Sequence, residues 1–248
     1  IRPVSTIAPI AAVLAGCHLV LKLAPDTIST TVFLIPGHTV TRPWQLVTCG
    51  FFEDSLLNLA LVLTVIFCCS ALLVQPTWSD HELCRFVILT NVLQACASWI
   101  GMIVLYILFR SEHFLFAQLG GLTGVLGGLS VALAQQAIHG SSGWRRLSAT
   151  ADAAAREAPS AAMCVAMRHA PSSCVVWAAI VLLTTHAGPP DELLFALNGI
   201  LAGWVYLRFY QHWPDGTSGD SSPAFELAAL FPPPLQFPAR VAGVACFG

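Results

Sequence analysis

Few side chains in this chain of 248 residues stand where they could do chemistry. Glu53 and Asp54 are adjacent acids at the mouth of an apolar run, where a carboxylate could transfer a proton or simply suit a helix N-terminus. His18 lies inside another apolar run that holds no carboxylate partner. This pattern favours a hydrogen bond from His18 to a neighbouring helix over a proton relay, and a solvated helix start for the two acids.

The cysteines and the other histidines do not form a metal site by their spacing. Nine cysteines are present, several of them inside apolar runs, and none are spaced as Cys-x-x-Cys. The histidines other than His18 fall near the ends of apolar runs or in loops. The sequence therefore predicts neither a metal centre, nor a disulfide framework, nor a cofactor.

Composition explains why polar chemistry is scarce. Hydrophobic residues make up 56% of the chain and charged residues 10%, whereas a soluble domain carries about 25% charged residues. So little charge cannot coat a soluble globule, which nearly excludes a soluble enzyme. The net charge of −2 excludes a nucleic-acid binder driven by counterion release. The expected surroundings of this chain are membrane lipids.

Six apolar stretches reach or approach the length of about 20 residues that a helix needs to cross a bilayer. They are Val4–Leu23, Leu56–Val74, Phe86–Phe109, Phe114–Ile138, Cys174–His186 and Leu193–Tyr210. The chain start also imitates a lipoprotein signal ending at Cys17, but its apolar run continues to Leu23, which favours a retained helix. We predict an all-α, polytopic membrane protein with a six-helix domain over residues 1–211 and a tail over residues 212–248.

The basic residues predict the orientation of such a bundle. With six spans, most of them fall on the side that carries both termini: Arg2, Arg85, Arg145, Arg146, Arg156, Arg168, Arg208 and Arg240. Lys22, Arg42 and Arg110 fall on the other side. Both termini are therefore predicted to be cytosolic. The fourth loop, about residues 139–173, is expected to be a solvated connector with a short surface helix around residues 145–156.

Glycine spacing is the most informative pattern within the spans. Gly120, Gly124 and Gly128 recur every four residues on the fourth span, and Gly199 and Gly203 share that spacing on the sixth. Small residues at this spacing let transmembrane backbones approach closely. Ordinary helix packing would explain the pattern. The sharper hypothesis is that spans four and six face each other at the centre of the bundle.

Six spans with cytosolic termini and glycine-rich spans four and six resemble the rhomboid superfamily. In active rhomboid proteases a Gly-x-Ser-Gly motif opens span four and supplies the nucleophile, and a His on span six, three residues before a Gly, is its base. The matching stretch here is Gly121–Gly124, so the resemblance assigns Thr123 to the nucleophile position. It assigns Ala196 to the base position. A hydroxyl without a base is a weak nucleophile, so the resemblance implies a degenerate dyad.

The chain is more closely similar to the transmembrane protein 115 family, rhomboid-like pseudoproteases of the Golgi. Four stretches carry this resemblance: Pro36-Gly37 with Pro43–Thr48 and Phe52-Glu53; Gly121–Gly128; Trp204–Gln211; and Gly219-Asp220 with Phe225 and Leu230–Pro232. They occur in the family's order over nearly the whole chain. The Pro232–Pro234 run and the alanine-rich fourth loop depart from the family pattern, which indicates a divergent member.

The aromatic and basic run at the end of the last span has two explanations. Trp204, Tyr206 and Arg208 suit a membrane–water interface, or they form a recognition surface together with the tail. The tail clusters apolar residues around Phe225 and Phe231 just before a proline run. These five residues are the candidates for partner binding. The cluster favours a tail that folds back onto the bundle over a free hook.

The resemblance implies a pseudoenzyme that works by recognition in Golgi organisation and retrograde vesicle transport. The expected partners are membrane lipids and protein partners, either tethering factors or membrane proteins. Two alternatives remain open at this point. One is a structural subunit of a larger organellar membrane complex, and the other is an active intramembrane protease that uses Thr123.

Overall fold

The structure, a computed structural model, describes residues 4–73, 78–147, 161–185, 191–213, 217–231 and residue 236. In this part of the chain the α-helices are α1 (Val4–Leu23), α2 (Pro25–Val32), α3 (Gln45–Thr48), α4 (Leu56–Leu73), α5 (Asp80–Phe109), α6 (His113–Phe116), α7 (Thr123–Leu147), α8 (Ala161–Arg168), α9 (Ala170–Thr185) and α10 (Asp191–Val205). A π-helical segment, Tyr206–Tyr210, continues α10. Short 3-10 turns follow in the tail, at Pro223–Phe225 and Leu227–Leu230. The described residues pair as strands only at isolated bridges, such as Leu34 with Leu119.

Each of the six predicted spans corresponds to one long apolar helix, and these are α1, α4, α5, α7, α9 and α10. Two helical stretches of the described chain are long and apolar enough to cross a membrane, His81–Phe109 and Leu193–Tyr210. A third qualifies if Gln45–Phe51 and Leu56–Cys68, which meet at 90°, are counted as one broken span. The remaining apolar helical stretches are shorter: Ala8–Leu23, Thr123–Ile138 and Ala170–Ile180. The fold is an all-α membrane protein, and the count of six spans stays a prediction.

Contacts between helix ends define two ends of the bundle. The C-terminal part of α1, the start of α4 and the start of α7 meet around Glu53, and we call this the loop end. At the opposite end, Glu82 near the start of α5 bonds Tyr206 beyond α10, and Ser172 near the start of α9 bonds Leu230 of the tail. We call this the tail end. Consecutive long helices therefore run in alternating directions.

The predicted fourth span is wrong at its N-terminal side. The apolar run from Phe114 was expected to be one helix, but α7 begins only at Thr123. Residues before it form the short helix α6 and an irregular connector that contains Gly121 at φ +109°. This backbone region is unfavourable for residues with a Cβ atom, so a continuous helix cannot pass through Gly121. The predicted surface helix around residues 145–156 falls largely outside the described residues.

Helix α7 is the centre of the fold, and its most extensive packing is against α10. A Cβ atom built on Gly199 would overlap the backbone of Gly124, and one built on Gly203 would lie 2.6 Å from the Cα of Gly128. The two helices therefore touch backbone to backbone at these four glycines. Close contact of this kind strengthens van der Waals packing, which drives helix association in lipid.

Two other glycines behave differently from the pattern in the sequence. Gly120 lies before α7, where an added Cβ would strike the ring of Phe33, so this residue takes no part in the contact between α7 and α10. Its place in the four-residue repeat was misleading because the helix had not yet begun. Gly127, which lies outside that repeat, does take part, since an added Cβ would be 2.6 Å from the carbonyl oxygen of Ala196.

Candidate functional site

Thr123 and Ala196, the positions of the degenerate dyad, belong to the two helices that cross at the glycine contact. Thr123 is the first residue of α7 and precedes Gly124; Ala196 lies on α10 one turn before Gly199. Thr123 is 6% exposed and Ala196 is fully buried. A methyl group neither accepts nor donates a proton. At this position α10 therefore gives the Thr123 hydroxyl no general base.

The start of α7 is occupied by a buried carboxylate. Glu53 is 7% exposed, and its Oε2 atom accepts a hydrogen bond from the backbone N–H of Leu122 at 3.4 Å. Its Oε1 atom accepts one from the N–H of Ser55, also at 3.4 Å. A Cβ on Gly121 would lie 2.9 Å from the Oε2 atom. A negative charge is favourable at a helix N-terminus, where backbone N–H groups lack helical partners. Glu53 therefore acts as an internal ligand of α7.

This placement has a chemical consequence at Thr123. Acyl transfer builds negative charge on the substrate oxygen, and enzymes meet it with N–H donors aimed at that oxygen. The N–H of Leu122, directly before Thr123, is already directed to Glu53. A carboxylate beside a developing oxyanion repels it. The N–H of Leu122 is therefore engaged by Glu53 instead of being open to an oxyanion beside Thr123.

The turn that holds Glu53 is fixed to α1. His18 donates from Nδ1 to the carbonyl oxygen of Glu53 at 2.6 Å. Lys22, one turn later, forms an ion pair with Asp54 at 2.6 Å between Nζ and Oδ1. His18 therefore makes a structural hydrogen bond, but to the turn before α4 and not to a neighbouring helix as its isolation in the sequence suggested. The exposed ion pair adds little stability, but it fixes the position of the turn.

The Pro43–Thr48 motif has a structural role beside this site. Its polar side chains, together with that of the preceding Arg42, bind carbonyl groups that α2 leaves unpaired at its C-terminal end. Arg42 and Gln45 donate to the carbonyl of Thr30, and Trp44 donates to that of Thr31. Thr48 donates to the carbonyl of Val32 at 2.8 Å. Unsatisfied carbonyls at helix ends need such partners, so this part of the motif caps a helix.

Sequence reasoning missed a row of polar side chains on α5. Thr90, Asn91, Gln94 and Ser98 are all fully buried. Asn91 donates to the carbonyl of Val47 at 2.7 Å, Gln94 donates to the Oδ1 atom of Asn91, and Ser98 accepts from Asn198 of α10 at 2.9 Å. The spacing of four residues from Thr90 to Gln94 to Ser98 was visible. These side chains carry no charge, so an intramembrane charge could not mark them.

Two atoms of this row have no hydrogen-bond partner among the residues that the structure describes. They are the hydroxyl of Thr90 and the Oε1 atom of Gln94. Both side chains face glycines of α7, since a Cβ on Gly128 would lie 2.7 Å from the Cγ2 atom of Thr90, and one on Gly124 would overlap Gln94. These two side chains of the polar row therefore contact α7 at the same glycines that join α7 to α10.

At the tail end, the segment after the last helix folds back onto the bundle, as the cluster around Phe225 suggested. Arg208 donates to the carbonyl oxygens of Asp220 and Ser222, both at 2.7 Å. The N–H of Asp220 bonds the carbonyls of Leu207 and Arg208, at 3.1 Å each, within the wide π-helical turn. Gly219 has φ +71°, and an added Cβ there would overlap the Arg208 carbonyl. Backbone contacts of this kind make Gly219-Asp220 a docking motif.

A buried amide joins the tail to α7. The Nε2 atom of Gln135 donates to Oδ2 of Asp220 and to Oε1 of Gln211, both at 3.0 Å. Gln135, Gln211 and Asp220 are each less than a tenth exposed. The end of the last helix, the tail and α7 are thereby held in one polar cluster.

The five partner-binding candidates are mostly inside the protein. Trp204, Tyr206 and Phe225 are at most 5% exposed. Trp204 donates to the carbonyl of Phe225 at 3.1 Å, and Tyr206 donates to Glu82 at 2.7 Å. Arg208 and Phe231 are partly buried. Trp204 thus holds the tail at Phe225, whereas Tyr206 joins the end of the last helix to α5. These three buried rings are shielded by their neighbours from direct contact with a partner. A role of the docked tail in recognition stays a prediction.

The described residues contain no group of three or more His, Cys, Asp or Glu side chains that could hold a metal ion. The polar features described above are instead internal: side chains that bond helix ends at the loop end and at the tail end, and the buried polar row on α5. Together with the apolar helices, they define an all-α integral membrane protein whose helix α7 is capped by Glu53 and clamped by its own tail.

Comparison with known proteins agrees with that class. The chain matches the eukaryotic integral membrane protein (DUF1751) family over residues 7–248, and it belongs to that family. It is 29% identical over 233 residues to rhomboid-like protein 19 of Arabidopsis thaliana, an alignment that covers 92% of this chain and 68% of that protein. It is 28% identical over 194 residues to transmembrane protein 115 of Homo sapiens, covering 78% of this chain and 50% of that protein. No solved structure matches the chain.

These findings confirm the resemblance to the transmembrane protein 115 family and to rhomboid-like proteins. The chain spans only about half the length of the human relative. What the whole relative does is therefore carried over to this chain only as a proposal.

Proposed function

We propose that this chain is a catalytically silent rhomboid-like membrane protein that acts by binding partners, in Golgi organisation and retrograde vesicle transport. The Golgi location, the cytosolic termini and the transport role rest on the family resemblance and on the distribution of basic residues. The observation that carries the non-catalytic part is the pairing of Ala196 at the base position with the Glu53 carboxylate on the start of α7.

Both features act against the same reaction. With Ala196 at the base position, α10 offers no group that takes the Thr123 hydroxyl proton. With Glu53 against Leu122, the tetrahedral intermediate would form next to a negative charge. A sequence under selection for cleavage would need neither feature. The helical bundle, the capped loop end and the clamped tail suit a rigid scaffold that presents surfaces to other proteins.

Replacement in cells tests the proposal. In cells that lack the protein, we expect wild type and Thr123→Ala to restore Golgi morphology and the return of a Golgi cargo to the endoplasmic reticulum equally well. Arg208→Ala removes the two hydrogen bonds to the tail carbonyls, and we expect it to restore transport poorly and to recover fewer partners. Arg110→Asn is the matched control, because it removes an arginine at the loop end. Loss of rescue by Thr123→Ala, with expression intact, would contradict the proposal.

The structural-subunit alternative makes a different prediction. A subunit should purify in mild detergent with stoichiometric companions, and it should become unstable without them. A scaffold with transient partners should purify alone and retain its thermal stability. The identity and stoichiometry of the proteins that co-purify therefore separate the two explanations.

A further inference from the structure

A cavity of about 420 Å³ lies at the tail end, between the end of the apolar part of α7, the end of α8 and the docked tail. It is lined by Ala137, Ile138, Arg168, Pro223, Ala224, Glu226, Ala229 and Gln236. Its volume is within the range of small-molecule sites, about 300–1,000 Å³. The cavity is far from Thr123, at the opposite end of α7.

The cavity carries two opposite charges that do not neutralise each other. Arg168, the last residue of α8, and Glu226, between the two 3-10 turns of the tail, are both exposed. The ion pair found among the described residues is that of Lys22 with Asp54, so Arg168 and Glu226 are not paired there. Apolar side chains, including Ile138 and Pro223, line the space around them. The cavity thus offers a cationic contact and an anionic contact beside apolar side chains, within a lining that is polar for its larger part.

The position of the cavity in the fold matches the headgroup region of a bilayer. In the sequence the apolar run on α7 ends at Ile138, before His139 and Gly140, and α9 begins at Ala170, two residues after Arg168. Both boundaries therefore fall at the cavity. Helix α8, which reaches the cavity with Arg168, exposes Met163 and Val165, with 43% and 58% of their surfaces accessible. A short helix that exposes apolar residues and ends in an arginine suits a membrane surface.

We propose that this cavity binds the headgroup of a zwitterionic phospholipid. Its phosphate contacts the guanidinium of Arg168, which presents several N–H donors in a geometry that fits phosphate oxygens. Its ammonium group, two carbons further along, contacts the carboxylate of Glu226. A lipid with phosphate but no amine would bring a second negative charge close to Glu226. The site is therefore selective for phosphatidylethanolamine-type headgroups over purely anionic ones.

The proposal is tested with the purified full chain by measuring lipid retention with native mass spectrometry. The probes are phosphatidylethanolamine and phosphatidylglycerol with identical acyl chains. We expect wild type to bind phosphatidylethanolamine about tenfold or more tightly, the size of one charge-assisted contact. Glu226→Gln should abolish this preference, because it weakens the ammonium contact of phosphatidylethanolamine and removes the charge that repels phosphatidylglycerol. Arg168→Gln should weaken both lipids about tenfold, while Arg168→Lys should keep the preference.

Arg110→Asn is the control, since it removes an exposed arginine at the other end of the bundle and asparagine tolerates the left-handed conformation at φ 55°. It should leave both affinities unchanged. Equal binding of the two lipids by wild type, or a preference unaffected by Glu226→Gln, would overturn the proposal. Competition by soluble phosphoethanolamine as effective as that by the lipid would overturn the assignment to a membrane lipid.

Discussion

Gly199→Ala is the substitution for which the structure makes the sharpest prediction. An added Cβ would overlap the carbonyl oxygen of Gly124 and lie 2.6 Å from its Cα atom. These are backbone atoms, so no side-chain rotation can relieve the contact, and α7 must move away from α10. Overpacking in a tight core lowers the free energy of unfolding by about 1–3 kcal/mol. Because the overlap here is with backbone atoms, we expect a loss at the upper end, about 3 kcal/mol.

Part of this loss is offset, because alanine is a better helix former than glycine by about 1 kcal/mol. The net loss is then about 2 kcal/mol. For a chain of this size, a change of 1 kcal/mol shifts Tm by about 2–4 °C, so Gly199→Ala should lower Tm by about 4–8 °C. The assay is thermal unfolding of the purified protein in a mild detergent, followed by circular dichroism.

Gly101→Ala is the matched control for this experiment. Gly101 is also within a long helix, α5, but an added Cβ there would meet only the Cδ1 atom of Leu194, at 3.9 Å. This variant should be neutral or more stable by up to about 1 kcal/mol. If Gly199→Ala and Gly101→Ala unfold within about 1 °C of each other, the close contact of α7 with α10 does not exist as described.

Three further predictions concern the tail, the loop end and the orientation. Phe225→Ala should destabilise the protein by about 3–5 kcal/mol and expose the tail to proteases, because Phe225 is fully buried beside Trp204. If thermal stability and proteolysis of the tail are both unchanged, the tail is not docked. Gly121→Ala should lower the free energy of unfolding by about 1–3 kcal/mol, because it places a residue with a Cβ atom in a positive-φ conformation. An unchanged Tm would contradict this description of the connector. Thr217→Cys, an exposed position in the tail, should react with a membrane-impermeant thiol reagent from the cytosolic side in a background without native cysteines, whereas reaction only from the lumenal side would refute cytosolic termini.

The long helices could be read from the sequence because lipid imposes a simple rule. Apolar runs of span length must be helical, so the first run, Val4–Leu23, coincides with α1. The second run ends one residue beyond α4. Helix α5 begins six residues before its predicted start, because Ser79 caps it by accepting from the N–H of Glu82 and a polar first turn precedes the apolar run.

The errors have equally physical causes. Hydropathy counts Phe114 and its neighbours as span residues, but only backbone geometry at Gly121 reveals that α7 starts later. The role of Glu53 could not be read either, since the residue that it caps, Leu122, lies far along the chain. The residues of the tail motif were visible in the sequence. Only the structure shows that their backbone groups form hydrogen bonds with a π-helical turn.

The central claim, catalytic silence at Thr123, is tested most directly by a cleavage assay in reconstituted membranes. Wild type, Thr123→Ala and Glu53→Gln are each mixed with a transmembrane substrate carrying a fluorescent reporter, with an active rhomboid protease as positive control. We expect all three to show no cleavage above empty liposomes. Glu53→Gln is included because the buried Glu53 carboxylate bonds the N–H of Leu122, the residue directly before Thr123. Cleavage by wild type that both Thr123→Ala and Glu53→Gln abolish would show an active protease with Glu53 as its base, and it would contradict the account.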